Sequence, residues 1–178
     1  IVMHSLVYIS EATQDFDEFS IQALVKQACQ RNEQLSVTGF LSHYDGRFLQ
    51  YLEGEKKALD ELMGSITADN RHTILEVMHL PFSHERRFAS WHMRYLPSQR
   101  MVTVNLEKVL ADVLIKMNKS LYGKECAVRY VQSILEKFSS YFATFPHPPA
   151  PSLQQLIDAE NTATPQPSYI SITPPLFF

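Results

Sequence analysis

The 178-residue sequence has only two cysteines, Cys29 and Cys126, far apart and outside any CxxC pair. That excludes a disulfide framework and reads as reduced, mostly buried thiols in a reducing compartment. No apolar run approaches the roughly 20 residues that span a bilayer, so no membrane contact is expected. A basic stripe is also missing: 16 Lys and Arg are dispersed among 19 Asp and Glu, for a net charge of −3. This argues against a nucleic-acid partner. His43, His79, His84 and His92 show no metal-ligand spacing such as HExxH, so no metal is expected. The start, IVMHSLVYIS, lacks a charged n-region, a long h-region and a small-residue cleavage site, and does not read as a signal peptide. Met3 reads as the natural first residue. With ordinary apolar (45%) and charged (20%) content, a cytoplasmic globular protein is expected.

What is present falls into three zones. Residues 1–97 alternate strand and helix patterns, residues 98–145 form a helical cap, and residues 146–178 hold eight of the ten prolines and no Lys or Arg. In the first zone His4–Ser10 alternates as a strand. Asp15–Arg31 carries Ile21, Leu24, Val25 and Ala28 at helical spacing, with Asp17 or Ser20 to cap it. Ser36–Tyr44 and Arg47–Leu52 flank Asp45-Gly46, a two-residue hairpin signal. Glu55–Ala68 places Leu59, Leu62, Met63 and Ile66 on one stripe. Thr73–Leu80 and Ser90–Leu96 read as two further strands. The βαββαββ string predicts an α+β, ferredoxin-like fold: two helices on one face of a mostly antiparallel sheet, with the first strand central. In the second zone Leu106, Val109, Leu110, Val113, Leu114 and Met117 form one apolar stripe behind Asn105. Val128, Val131, Ile134, Leu135, Phe138 and Phe142 form another after Tyr122-Gly123. This αα-hairpin either covers the sheet's open face or covers it and also presents an interface. The third zone reads as an extended or disordered tail.

The stretch RFLQYLEGE raises a chemical question. Strand alternation puts Phe48, Gln50 and Leu52 on one face, so an amide sits between apolar neighbours and must find hydrogen-bond partners. Leu6, Tyr8 and Ser10 share a face of the first strand; Trp91, Met93 and Tyr95 share one of the last. Asn32 ends the first helix pattern, and Asp69, Asn70, Arg71 and His72 follow the second. If the helices cover the face bearing Tyr8 and Gln50, these groups converge on a slot suited to a flat, polar-edged heterocycle. Each residue alone has a plainer role: Tyr8 as core packing, Asn32 as a helix C-cap, Trp91 and Met93 as core filler, Arg71 and His72 as loop residues.

Taken together, LVYIS with Tyr8, RNEQLSVTGFL with Asn32, FLQYLEGE with Gln50, DNRH, and FASWHMRYL with Trp91 and Met93 resemble the BLUF domain, a blue-light sensor that uses flavin. The resemblance covers about residues 3–97, and the short helical cap is similar to that of stand-alone members. It implies a non-enzymatic photoreceptor holding FAD non-covalently between the two helices, with FMN or riboflavin as alternatives. By the same resemblance Tyr8 is the photochemical electron and proton donor. Gln50 bridges Tyr8 and the flavin edge and rotates, tautomerises, or both. Asn32 holds the ring's polar edge. Ser10, Arg31, Asp69, Arg71 and His72 lie near the flavin or its chain. Trp91 or Met93 carries the change toward the C-terminal helices, and which of them is inward stays open. The implied partners are a second copy of the chain and a downstream signalling protein. The competing readings are a flavin-free protein-interaction module and a small enzyme on the same fold.

Overall fold

Strand β1, Met3–Ala12, puts Leu6 and Tyr8 on one face and Val7 and Ile9 on the other, and all four are buried. A strand buried on both faces belongs inside a sheet that is covered above and below. In the computed structural model, which describes residues 1–96, 112–116 and 123–144, that is its position. After β1 come helix α1 (Glu18–Gln34), strands β2 (Thr38–Tyr44) and β3 (Arg47–Gly54), and helix α2 (Lys56–Ala68). They are followed by β4 (His72–Ser83), the short β5 (Arg94–Tyr95) and helix α3 (Gly123–Thr144). The sheet order is β4-β1-β3-β2-β5, antiparallel throughout except between β2 and β5. The expected ferredoxin-like α+β fold is therefore present; β1 is interior, between β3 and β4, and β3 is the middle strand.

Local chemistry explains the element boundaries. Asp17 caps α1, its carboxylate accepting from the Ser20 amide at 2.8 Å. At the β2–β3 turn, Asp45 (φ 50°) and Gly46 (φ 71°) supply the two positive φ angles that match the strands' twist. Helix α1 runs past the expected end at Arg31, so Asn32 lies inside it and does not cap it. Ser36 (φ 53°) makes the left-handed turn instead, and the Val37 amide returns to the Asn32 carbonyl at 2.8 Å.

The two faces of the sheet carry separate cores. On one, Ile21 of α1 and Leu59 and Leu62 of α2 pack against Leu6, Tyr8, Phe48 and Leu52. On the other, Ala127, Val131, Leu135 and Phe138 of α3 pack against Val7, Ile9, Phe40 and Tyr51. Val113 and Leu114, in the helical stretch 112–116, join this second core. The rest of the expected first cap helix, with Asn105, Leu106, Val109, Leu110 and Met117, lies outside the described residues, as does the tail 146–178. Of the two thiols, Cys126 is exposed and Cys29 only half-buried, which corrects the expectation of buried cysteines.

The expected strand over Ser90–Leu96 shrinks to Arg94–Tyr95. The Trp91 amide instead donates to the Phe88 carbonyl at 3.0 Å, and the Trp91 carbonyl accepts from the Gly39 amide at 2.7 Å. This bend breaks the period-two alternation. Met93 and Tyr95 face α1 and α2, whereas Trp91 joins the α3 side, stacked on Phe88 at 4.9 Å between ring centroids.

Leu135→Ala should lower stability by about 2–5 kcal/mol, the usual cost of a fully buried leucine. The check is a urea titration: a lower midpoint at unchanged slope is expected, and wild-type stability would contradict the packing of α3 on the sheet.

Candidate functional site

A cavity of about 140 Å³ opens between α1 and α2 above the sheet. Leu24 and Ala28 of α1 and Leu62 and Ile66 of α2 form apolar walls, completed by Leu41 and Phe48 from the strands. The helix stripes explain the walls: residues spaced three or four apart line up on one face.

The floor is polar. Register places Tyr8 of β1 directly opposite Gln50 of β3. Facing side chains on an antiparallel pair lie close enough to bond, and the Tyr8 hydroxyl donates to Gln50 Oε1 in a short contact. Gln50 Nε2 donates to Met93 Sδ at 3.3 Å. A thioether is a weak acceptor, so the amide is held more firmly by its oxygen end than by its nitrogen end. Burial, and next the nearby Asp69 carboxylate, push the Tyr8 pKa upward. Tyr8 is thus a neutral phenol that keeps its proton to donate. Asn32, 1% exposed, donates through Nδ2 to the His92 carbonyl at 2.8 Å and ties α1 to the segment before β5.

The rim is charged. Arg71 grips Asp69 through Nε and Nη2 at 2.9 and 2.5 Å. That grip holds the Asp69 carboxyl below the usual carboxylate range and raises Arg71. His72 Nε2 lies 2.8 Å from the Ile66 carbonyl. Arg31 Nη2 donates to Ser65 Oγ at 2.5 Å, bridging α1 and α2 across the mouth.

Tyr8, Arg31, Asn32, Gln50, Asp69, Arg71 and His72 thus line one cavity. Met93 is buried behind Gln50 and meets the cavity through it. Ser10 is fully buried, has an Oγ without a hydrogen-bond partner among the described residues, and does not line the cavity. Trp91 stands on the opposite side of the sheet from the cavity. Four lining residues escaped the sequence reading: Phe16, Gln27, Leu41 and Ser65. Gln27 precedes Arg31 by one helical turn, which was the available signal. Phe16 lies in a connection with no periodicity and carried none.

Removing the Arg71 grip should move the Asp69 titration. A carboxyl whose folded pKa is depressed adds stability above its unfolded value, near 3.9, and loses it as pH falls through the folded pKa. Arg71→Ala should bring Asp69 back toward the ordinary value and weaken that acid-side loss. NMR titration of the Asp69 side chain checks it; an unmoved midpoint would contradict the pairing.

The family model described as BLUF, sensors of blue-light using FAD, matches residues 3–94. Photoactivated adenylate cyclase subunit beta of Euglena longa is 34% identical over 135 residues, 75% of this chain and 15% of its own length. The alpha subunit from Euglena gracilis is 30% identical over 75% of this chain and 13% of its own length. The chain therefore spans only about 15% of the length of such relatives. Among solved structures, the dark state of BlrB, a BLUF protein, superposes with a TM-score of 0.56 at 26% identity, covering 78% of this chain and 96% of BlrB. Klebsiella pneumoniae BlrP1 with FMN and cyclic di-GMP gives a TM-score of 0.51 at 28% identity, covering 78% of this chain and 36% of BlrP1. With the family model matching more than half of its residues and the floor of its cavity built from Tyr8, Asn32 and Gln50, the chain belongs to the BLUF family of flavin-binding blue-light sensors.

Proposed function

We propose that this chain is a non-enzymatic, cytoplasmic blue-light receptor that holds FAD in the cavity and signals through its C-terminal helices to a separate protein, to a second copy of itself, or to both. The observation that carries the reading is the bonded pair at the cavity floor: a buried phenol donating to a buried amide, which is itself weakly tied to Met93. The cavity suits a flavin in its chemistry. Apolar walls match the ring faces, and the amides of Asn32 and Gln50 match a polar ring edge. Arg31 and Arg71 at the mouth suit a phosphate-bearing chain. The family model's description names FAD and a related structure carries FMN, so the choice of FAD belongs to this proposal. No helix among the described residues is long and apolar enough to cross a membrane.

When bound, the flavin supplies light absorption and a strongly oxidising excited state. The residues do the rest. With a flavin bound and excited, Tyr8 would pass it an electron and its hydroxyl proton and would then take both back. While the hydroxyl is not donating, Gln50 Oε1 loses its partner and the amide rotates, tautomerises, or both. The turn costs little on the far side, because the contact given up there is an N–H to a thioether sulfur. The turned Gln50 would then have a donor free for an acceptor on a bound flavin, and a changed hydrogen bond there would shift absorption to the red. Exchanging one hydrogen bond is worth about 0.5–1.5 kcal/mol, enough to change a two-state equilibrium about two- to tenfold.

Absorption spectroscopy of the purified chain tests the reading. Oxidised flavin with a reversible red shift under blue light is expected, and extraction of the chromophore identifies FAD, FMN or riboflavin. A colourless chain, or a coloured one that does not shift, would overturn the reading. Tyr8→Phe should keep the flavin and abolish the shift, and a normal photocycle in that variant removes Tyr8 from the donor role. Gln50→Ala should likewise bind flavin without shifting.

A further inference from the structure

The segment between β4 and β5 is gripped at both ends, from opposite faces of the sheet. At its later end the grips come from the cavity floor: Asn32 holds the His92 carbonyl and Gln50 holds the Met93 sulfur. At its earlier end the grip is Glu53, a carboxylate only 1% exposed. Glu53 lies on the same strand as Gln50, and odd–even alternation turns it to the face that carries α3. Its oxygens accept from the Arg87 amide at 2.8 Å and the Phe88 amide at 2.6 Å. They also accept from Tyr51 Oη at 2.9 Å and Thr38 Oγ1 at 3.0 Å. A buried carboxylate needs several donors to offset its desolvation, and this one has them.

Contact continues from Arg87 into α3. Ser139 Oγ donates to the Arg87 carbonyl at 2.7 Å. The Arg87 guanidinium lies 3.7 Å from the Glu136 carboxylate and donates to Tyr51 Oη at 3.1 Å. Beside it, the Phe88 ring meets Phe138 of α3 edge-on at 6.1 Å between centroids. The two grips differ in strength. Bonds to a carboxylate are charge-assisted, whereas the Gln50–Met93 contact is to a weak thioether acceptor. The Met93 sulfur contact is the weakest of these holds, and the Glu53 end carries the most charge-assisted bonds.

Resting on the photoreceptor reading above, we propose that Arg87 is the positioning residue of the light response: pinned at its backbone by Glu53, it turns loss of the Gln50–Met93 contact at one end of the segment into altered packing of α3 at the other. Neither Arg87 nor Glu53 lines the cavity, so the role separates cleanly from flavin chemistry.

The test uses the full chain loaded with flavin. Amide hydrogen exchange across residues 127–138 is compared in darkness and under blue light, with the red shift recorded on the same samples. The wild type should show a light-dependent change in α3. The double variant Arg87→Ala with Ser139→Ala should keep the flavin and the full red shift but lose the α3 change, and Arg87→Lys, which keeps the charge facing Glu136, should retain part of it. Should the double variant fail to bind flavin, Ser139→Ala alone, which leaves the Glu53 cluster intact, should lose the change over residues 135–138. A variant that shifts normally and still shows the wild-type α3 change overturns the inference and leaves the photoreceptor reading standing. So does a wild type that shifts with no change in α3. A wild type without a red shift overturns the photoreceptor reading itself, and this inference with it.

Discussion

The pairing of Tyr8 with Gln50 across two central strands is the constraint on which the rest of the molecule depends. Side chains in a sheet alternate strictly, so a slip of one residue between β1 and β3 would send Gln50 into the α3 core and bring Tyr51 to the cavity. Two devices hold the register. Burial on both faces penalises any slip, and β1 is paired along both of its edges, with β3 and with β4. The amide's partners follow from that register: a phenol on the neighbouring strand and a sulfur delivered by the segment before β5. The amide thus has one firm partner, the Tyr8 hydroxyl, and one weak one, the Met93 sulfur.

The opposite face of β3 works differently. There Glu53 collects four donors, from Tyr51 two residues back, from Thr38 on the next strand and from Arg87 and Phe88 far along the chain, and Arg86 adds bonds to the Glu53 carbonyl and to Thr38 Oγ1, each at 3.0 Å. Satisfied carboxylates of this kind are rigid, because losing any single donor leaves a buried charge undercompensated. One strand thus bears a lightly held amide toward the cavity and a heavily bonded carboxylate toward α3.

Much of this could be read from the chain alone. Period-two alternation, helical stripes and the Asp-Gly turn led to the ferredoxin-like fold. The same face arithmetic put Tyr8 and Gln50 side by side. Two of the failures depend on how irregular backbone bends. Trp91 was assigned to Met93's face because alternation was extended through residues that form a turn. The first helix was ended at Arg31, short of Gln34, because the left-handed turn at Ser36 leaves no mark in composition. Glu53 passed without notice, since a glutamate near a strand end reads as a surface charge. Its donors at Thr38, Arg87 and Phe88 meet it only in three dimensions. Cys126 was expected to be buried from residue type alone, yet it falls on the outer side of α3.

The bridge from Arg31 to Ser65 spans the mouth of a slot whose walls are parts of the apolar core. An occupant of that slot counts as core as much as leucine does, though the chain does not encode it covalently. By mass action, a compound bound by the native state and not by the unfolded chain stabilises it by about 2.7 kcal/mol at a hundredfold excess over its Kd. The melting temperature of such a protein is therefore a gauge of chromophore supply, and the slot makes durability in the cell a property shared between gene and metabolism.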